Sequence, residues 1–253
     1  MAASVFDTAR YARLRRNFLI FLGACIAFST VVYMPIYWLM YSNIRWTDSI
    51  PMLIWREMIE PVMNYIFYLG SFAYLIYGTA RFGSHKAAPF LGLFAGAALL
   101  RYLTNVFSYI WIMGALHVSE WLAYDLPDIL LSTAFDCIQI GITFWIAHRV
   151  LNGKQYLPVT RVTDRVPMLR AAWLCAIIPA VTQVLSRFYY DMQLFFSFEM
   201  QIDGAGEMLL MISYYITDLL AIPVGFLVIA LILKWFSRAE KRSREEFDAE
   251  KKK

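Results

Sequence analysis

Charge is scarce in this chain. Asp, Glu, Lys and Arg make up 17% of its 253 residues, against about 25% in an average soluble domain. Cysteine is scarcer still. Cys25, Cys137 and Cys175 each sit inside an apolar run, with no CxxC and no metal-ligand spacing. That excludes a disulfide-stapled scaffold and a cysteine zinc centre, and leaves the three as small buried hydrophobes. His85, His117 and His148 lie near the ends of different apolar runs, so they share no depth and make no metal site. HExxH, GxSxG, Walker A and GxGxxG are all missing. Active transport would therefore draw on an ion gradient or a partner's ATP hydrolysis. No cofactor is implied. No extended basic–aromatic pattern points to nucleic acid.

What fills the chain instead is apolar sequence. Hydrophobic residues make up 60%, concentrated in runs long enough to cross a bilayer of about 30 Å. Six such runs are expected, all α-helical: 17–41, 61–80, 87–116, about 129–147, 170–190 and 208–235. The expected organisation is a basic N-terminus over 1–16, a six-helix transmembrane domain over 17–235 and a charged tail over 236–253. The first run is too long for a signal peptide and lacks a small-residue cleavage site, which suits a retained span. In the tail, Glu240 and Arg244 stand at i, i+4, so the last helix can continue into solvent.

The charges that remain set an orientation. Arg10, Arg13, Arg15 and Arg16, residues 81–86, residues 148–170 and the tail are the basic segments. The loops between them are acidic or mixed. The positive-inside rule then places both termini in the cytoplasm, with the spans forming three hairpins. Residues 50–58 can be read either as an amphipathic surface segment or as a plain loop. Short loops and the lack of an organelle signal suggest a bacterial cytoplasmic membrane. Basic loop 152–170 and tail 236–253 are candidate docks for a soluble partner or anionic lipid. Gly92 and Gly96 form a GxxxG, a motif that lets helices approach closely within a chain or between copies.

The hairpin 87–151 draws attention because each arm carries a charge near its middle, Arg101 and Asp136. A charge at that depth costs about 2.5–3.5 kcal/mol on insertion scales, so it calls for a partner, water or a task. Helical spacing adds polar companions on single faces. Thr104, Asn105 and Ser108 follow Arg101; Ser132, Gln139 and Thr143 flank Asp136; Thr182, Gln183, Ser186 and Arg187 share a face, as do Tyr214 and Asp218. Asp136 and Asp218 each lie about ten residues, or roughly 15 Å, into their spans. Arg101–Asp136 is the expected ion pair. Asp218 is left as a proton-carrying acid or as a member of a structural clasp. The candidate binding residues are thus Arg101, Asn105, Asp136, Gln139, Gln183 and Asp218.

Local likeness between Leu103–Ser108 and Val181–Ser186 hints at parallel hairpin repeats. The proline–acid–base motif of three-hairpin mitochondrial carriers is absent. Three functions compete. One is a small permease with a polar mid-membrane site for a solute or proton. Another is a non-transporting subunit, an anchor, sensor or assembly partner. The third, an intramembrane enzyme, lacks any visible catalytic constellation.

Overall fold

The computed structural model describes residues 2–42, 60–113, 118–151, 162–196 and 205–250. They form six helices: α1 (Ala2–Ser42), α2 (Glu60–Phe82), α3 (Ser84–Met113), α4 (Val118–Leu151), α5 (Val162–Phe196) and α6 (Ala205–Glu250). The expected surface segment 50–58 and most of the inter-helix loops lie outside the described residues. Five helices, α1, α3, α4, α5 and α6, are long and apolar enough to cross a membrane. The described residues are thus all-helical, with the lengths and apolar composition that suit a helical membrane protein.

The helices outrun the apolar windows that announced them. α4 begins at Val118 rather than near residue 129, and α5 begins at Val162 rather than at 170. Residues 162–170 of the expected basic loop are therefore helix. Hydropathy registers only the part of a helix that suits hydrocarbon, whereas the backbone ladder continues wherever propensity permits. In α6 the Ala-, Glu-, Lys- and Arg-rich sequence after Ser237 is made of good helix formers, and the helix runs to Glu250. At about 1.5 Å per residue a helix of that length is far longer than the bilayer core. Its end also stays packed, since Phe236 and Glu240 are buried.

The centre of the bundle is α2, not the α3–α4 hairpin. From Phe67 to Phe82 every residue is buried except Tyr68, which is half-buried. α2 packs against all five other helices. A helix covered on all sides belongs in the middle of a domain. Among the described residues, α2 is the helix that falls short of the apolar spans, and its composition says why. Tyr65, Tyr68, Tyr74 and Tyr77, with Ser71, Thr79 and Arg81, make it too polar for a lipid-facing helix. Protein supplies the environment that lipid cannot.

The packing is not that of three equivalent hairpins. α1 lies chiefly against α3 and less against α2. Phe18 carries the α1 contact, with Phe90 at 5.2 Å and Tyr74 at 5.0 Å between ring centroids. On the far side Tyr74 and Phe236 are 4.7 Å apart. Among the described residues, the GxxxG glycines seat no other helix. A Cβ added to Gly92 or Gly96 would meet open space. The close approaches among the described residues occur at Gly70, under the Phe21 ring, at Gly78, against the Phe90 ring, and at Gly225, beside Leu69 and Ala176. Between α2 and α3 the chain turns at Gly83, whose φ of 85° suits glycine. Its amide donates to the Thr79 carbonyl at 3.0 Å.

Candidate functional site

Two polar groups are built around α2, one within the apolar depth of the bundle and one at its end. The first gathers on the side of α2 that faces α4. The Tyr68 hydroxyl donates to Asp136 Oδ1 at 2.5 Å. Asp136 is 2% exposed and Arg101 6%. Arg101 stacks its guanidinium over Phe67 at 4.7 Å and over Tyr102 at 5.2 Å. Both phenols interact with the cation and with the carboxylate, so that Arg101, Tyr68, Tyr102 and Asp136 all lie in one another's electrostatic field. The expected direct Arg101–Asp136 ion pair is not made. Among the described residues, the ion pairs are Arg81 with Asp7, Arg81 with Glu240, and Lys241 with Glu245. Aromatic faces and phenol hydroxyls replace the direct contact, because α2, with Phe67 and Tyr68, is packed against both α3 and α4.

The remaining acceptors in this region are unmet. Among the described residues, Asp136 Oδ2 and Gln139 Oε1 are buried without a hydrogen-bond donor, and the Thr133 hydroxyl on the same helix has no partner. Positions 136 and 139 share a helix face. A buried acceptor with no donor costs about 1–3 kcal/mol, so a proton or a donor group arriving there is stabilised. By contrast, most of the hydroxyls in the polar stripes satisfy themselves locally. Thr104 donates to the Arg101 carbonyl, Thr143 to that of Gln139 and Thr182 to that of Ile178, each at 2.9 Å. Such back-bonding lets a threonine sit in a span without a partner on another helix.

The other sequence candidates separate. Asp218 is half-buried and lies in the field of Tyr65, one turn from Tyr68 on α2. The two carboxylates thus approach successive tyrosines of the central helix, in keeping with their expected similar depth. Gln183 is exposed on α5, beside exposed Leu185, and does not join the group. The side chain of Asn105 lies outside the described ones, as do those of Arg187 and Asp191. Beside Arg101 a cavity of about 40 Å³ opens among Cys25, Phe28, Ser29, Ile66 and Phe67. It is large enough for water, at roughly 10–15 Å³ for one molecule.

The second group closes one end of the bundle. Arg81 Nε donates to Glu240 Oε1 and its Nη2 to Asp7 Oδ1, each at 2.5 Å. The Tyr77 hydroxyl takes the other oxygen, Glu240 Oε2, also at 2.5 Å. Glu240 is 1% exposed and both its oxygens are met. It is therefore no solvated tail charge paired with Arg244. Around this core Arg10 donates to Ser243 at 3.3 Å and Tyr11 to the Lys86 carbonyl at 2.9 Å. Ser84 Oγ and His148 Nδ1 are 2.6 Å apart. These contacts bring the N-terminal turns, the α2–α3 turn, the end of α4 and the end of α6 to one place.

Sequence reasoning missed Tyr68, Tyr102, Tyr77, Arg81 and Glu240 as members of polar groups. A usable signal existed in α2: four tyrosines and an arginine in an otherwise apolar helix need partners if that helix is central. No group of three or more His, Cys, Asp or Glu side chains suits a metal ion among the described residues. Neither protein-family models, nor curated proteins, nor solved structures give a match to the chain.

Proposed function

We propose that the protein is a small, proton-linked permease of a bacterial cytoplasmic membrane, with Asp136 as its proton-carrying group. The observation that carries this reading is the Asp136 carboxylate itself. It is buried at mid-span, held through one oxygen by Tyr68, and has its second oxygen without a donor. Gln139 supplies an unmet acceptor for a solute's donor group, and Arg101 supplies a fixed positive charge that keeps an ionised Asp136 affordable between proton transfers. Protons or small solutes with hydrogen-bond donors are the chemistry such a site accepts.

Access from water decides the matter. Cys137 is a poor probe, because successive helical residues point about 100° apart and its neighbours Phe135 and Ile138 face outward. Gln139→Cys in a chain whose three native cysteines are replaced by alanine reports on the site itself. Reaction with a membrane-impermeant thiol reagent, suppressed by Asp136→Asn, is the expected result. Complete protection under all pH conditions would refute a pathway.

One observation favours a second reading, a packed non-transporting subunit. The cavity beside Arg101, at about 40 Å³, admits water but no larger solute. Complete protection at position 139, together with a soluble protein retained in native mass spectrometry, would select that reading. Basic segment 152–170 and tail 236–253 would then be the places to look for the dock.

A further inference from the structure

We infer that the cleft between α1 and α6, at the end of the bundle where the basic segments meet, binds the headgroup of an anionic phospholipid. α1 and α6 do not pack along their length. They meet where Arg10 donates to Ser243, and α2 packs against both. The space left between them is an open cleft of about 50 Å³ bounded by Arg10, Arg13, Asn17, Phe82, Trp235 and Phe236. Residues 10, 13 and 17 fall on one face of α1, three or four positions apart.

The charges distinguish this cleft from the clasp beside it. Arg81 is neutralised twice, by Glu240 and Asp7. Arg10 and Arg13, by contrast, form no ion pair among the described residues. Two uncompensated guanidiniums with an amide between helices suit a phosphate, which takes paired N–H donors, and basic pockets between spans are places where lipid headgroups bind.

A lipid, rather than free phosphate, is indicated by what continues from the cleft. Trp235 on its rim is 60% exposed, the position of an interfacial aromatic. Below it Leu231, Leu227, Val224 and Leu220 are all exposed. At intervals of three or four they form one apolar stripe along α6, a track for an acyl chain whose headgroup sits at the arginines.

The test is native mass spectrometry of the full-length protein in detergent, titrated separately with phosphatidylglycerol, phosphatidylcholine and inorganic phosphate. The first phosphatidylglycerol should bind at least tenfold more tightly than phosphatidylcholine. R10Q/R13Q should abolish that preference, while R15Q/R16Q, which removes the same charge from exposed positions outside the cleft, should keep it. Equal loss in both double variants would overturn the site in favour of diffuse surface charge, and so would no preference in the unaltered protein. Displacement of phosphatidylglycerol by equimolar inorganic phosphate would overturn the lipid assignment. Arg13 makes no hydrogen bond or ion pair among the described residues, so R13Q alone keeps the question answerable should the double variant misfold. A several-fold loss of preference is expected from it, and unchanged preference counts against the site.

Discussion

Asp136 and Glu240 are two buried carboxylates treated differently. Glu240 has a donor on each oxygen, from Arg81 and Tyr77, while among the described residues Asp136 Oδ2 has none. Removing a partner should therefore cost more at Glu240. Arg81→Met leaves a buried charge without its cation and is expected to destabilise by about 3–5 kcal/mol. Asp7→Asn touches the same arginine from a side chain 36% exposed and should cost only about 0–1 kcal/mol. Thermal unfolding in one detergent, followed by loss of helical signal, separates the two. At the Asp136 group, Tyr68→Phe should cost about 1–3 kcal/mol. Combined with Asp136→Asn it should cost less than the sum of the single changes, with a coupling of about 0.5–3 kcal/mol. Strict additivity would mean that the short bond holds nothing together. Helical spacing within one span made Asp136, Gln139 and Thr143 legible as a buried face. Their partners were not legible, because Tyr68 lies 68 residues from Asp136 and a tyrosine in a span reads equally well as an interfacial residue. Arg81 and Glu240, 159 residues apart, read as a flank and a tail for the same reason.

Hydropathy recognises a helix by what lipid would accept, so it is most reliable for the helices on the outside of a bundle. α1, α3, α4, α5 and α6 meet that measure, whereas α2, expected as a span over 61–80 like the rest, does not, although every other helix rests on it. Its role follows from which residues are small as well as which are polar. A Cβ at Gly70 would come within 2.3 Å of the Phe21 ring, so Gly70→Ala must displace that ring or part α1 from α2. Overpacking of this kind typically costs about 1–3 kcal/mol, and Phe21→Leu in the same chain should recover most of it. Gly92→Ala and Gly96→Ala are expected to leave monomer stability unchanged or slightly improved, since alanine is the better helix former and the space is open. If copies of the chain associate through that face of α3, the same two changes will shift the oligomer toward monomer by size-exclusion with light scattering, with no change in unfolding of the monomer. The sequence pattern that signals close helix approach was thus present in α3. The approach within the chain is made at glycines of α2 and α6, which no spacing rule picks out.

Among the described residues, polar side chains crowd together at an end of the bundle. Asp7, Arg10, Tyr11, Arg81, Ser84, Lys86, His148, Glu240 and Ser243 meet there through hydrogen bonds and ion pairs. They come from four parts of the chain that charge counting alone had assigned to one side of the membrane. The agreement joins two independent facts, the distribution of Lys and Arg along the sequence and the meeting of distant side chains in space. It leads to a prediction about sidedness. In a chain whose native cysteines are replaced, single cysteines at Ser84 and Ser243 should both react with a membrane-impermeant reagent added to inside-out vesicles. Neither should react in right-side-out cells, and a reporter fused after Lys253 should be active only in the cytoplasm. Labelling of Ser84→Cys and Ser243→Cys from opposite faces would be incompatible with the Arg81–Glu240 clasp, because a contact of 2.5 Å cannot span a bilayer. Labelling of both from the outside would leave the bundle intact and invert it. The arginines of the α1–α6 cleft would then face the outer leaflet, and the force that orients the protein would have to come from something other than its Lys and Arg.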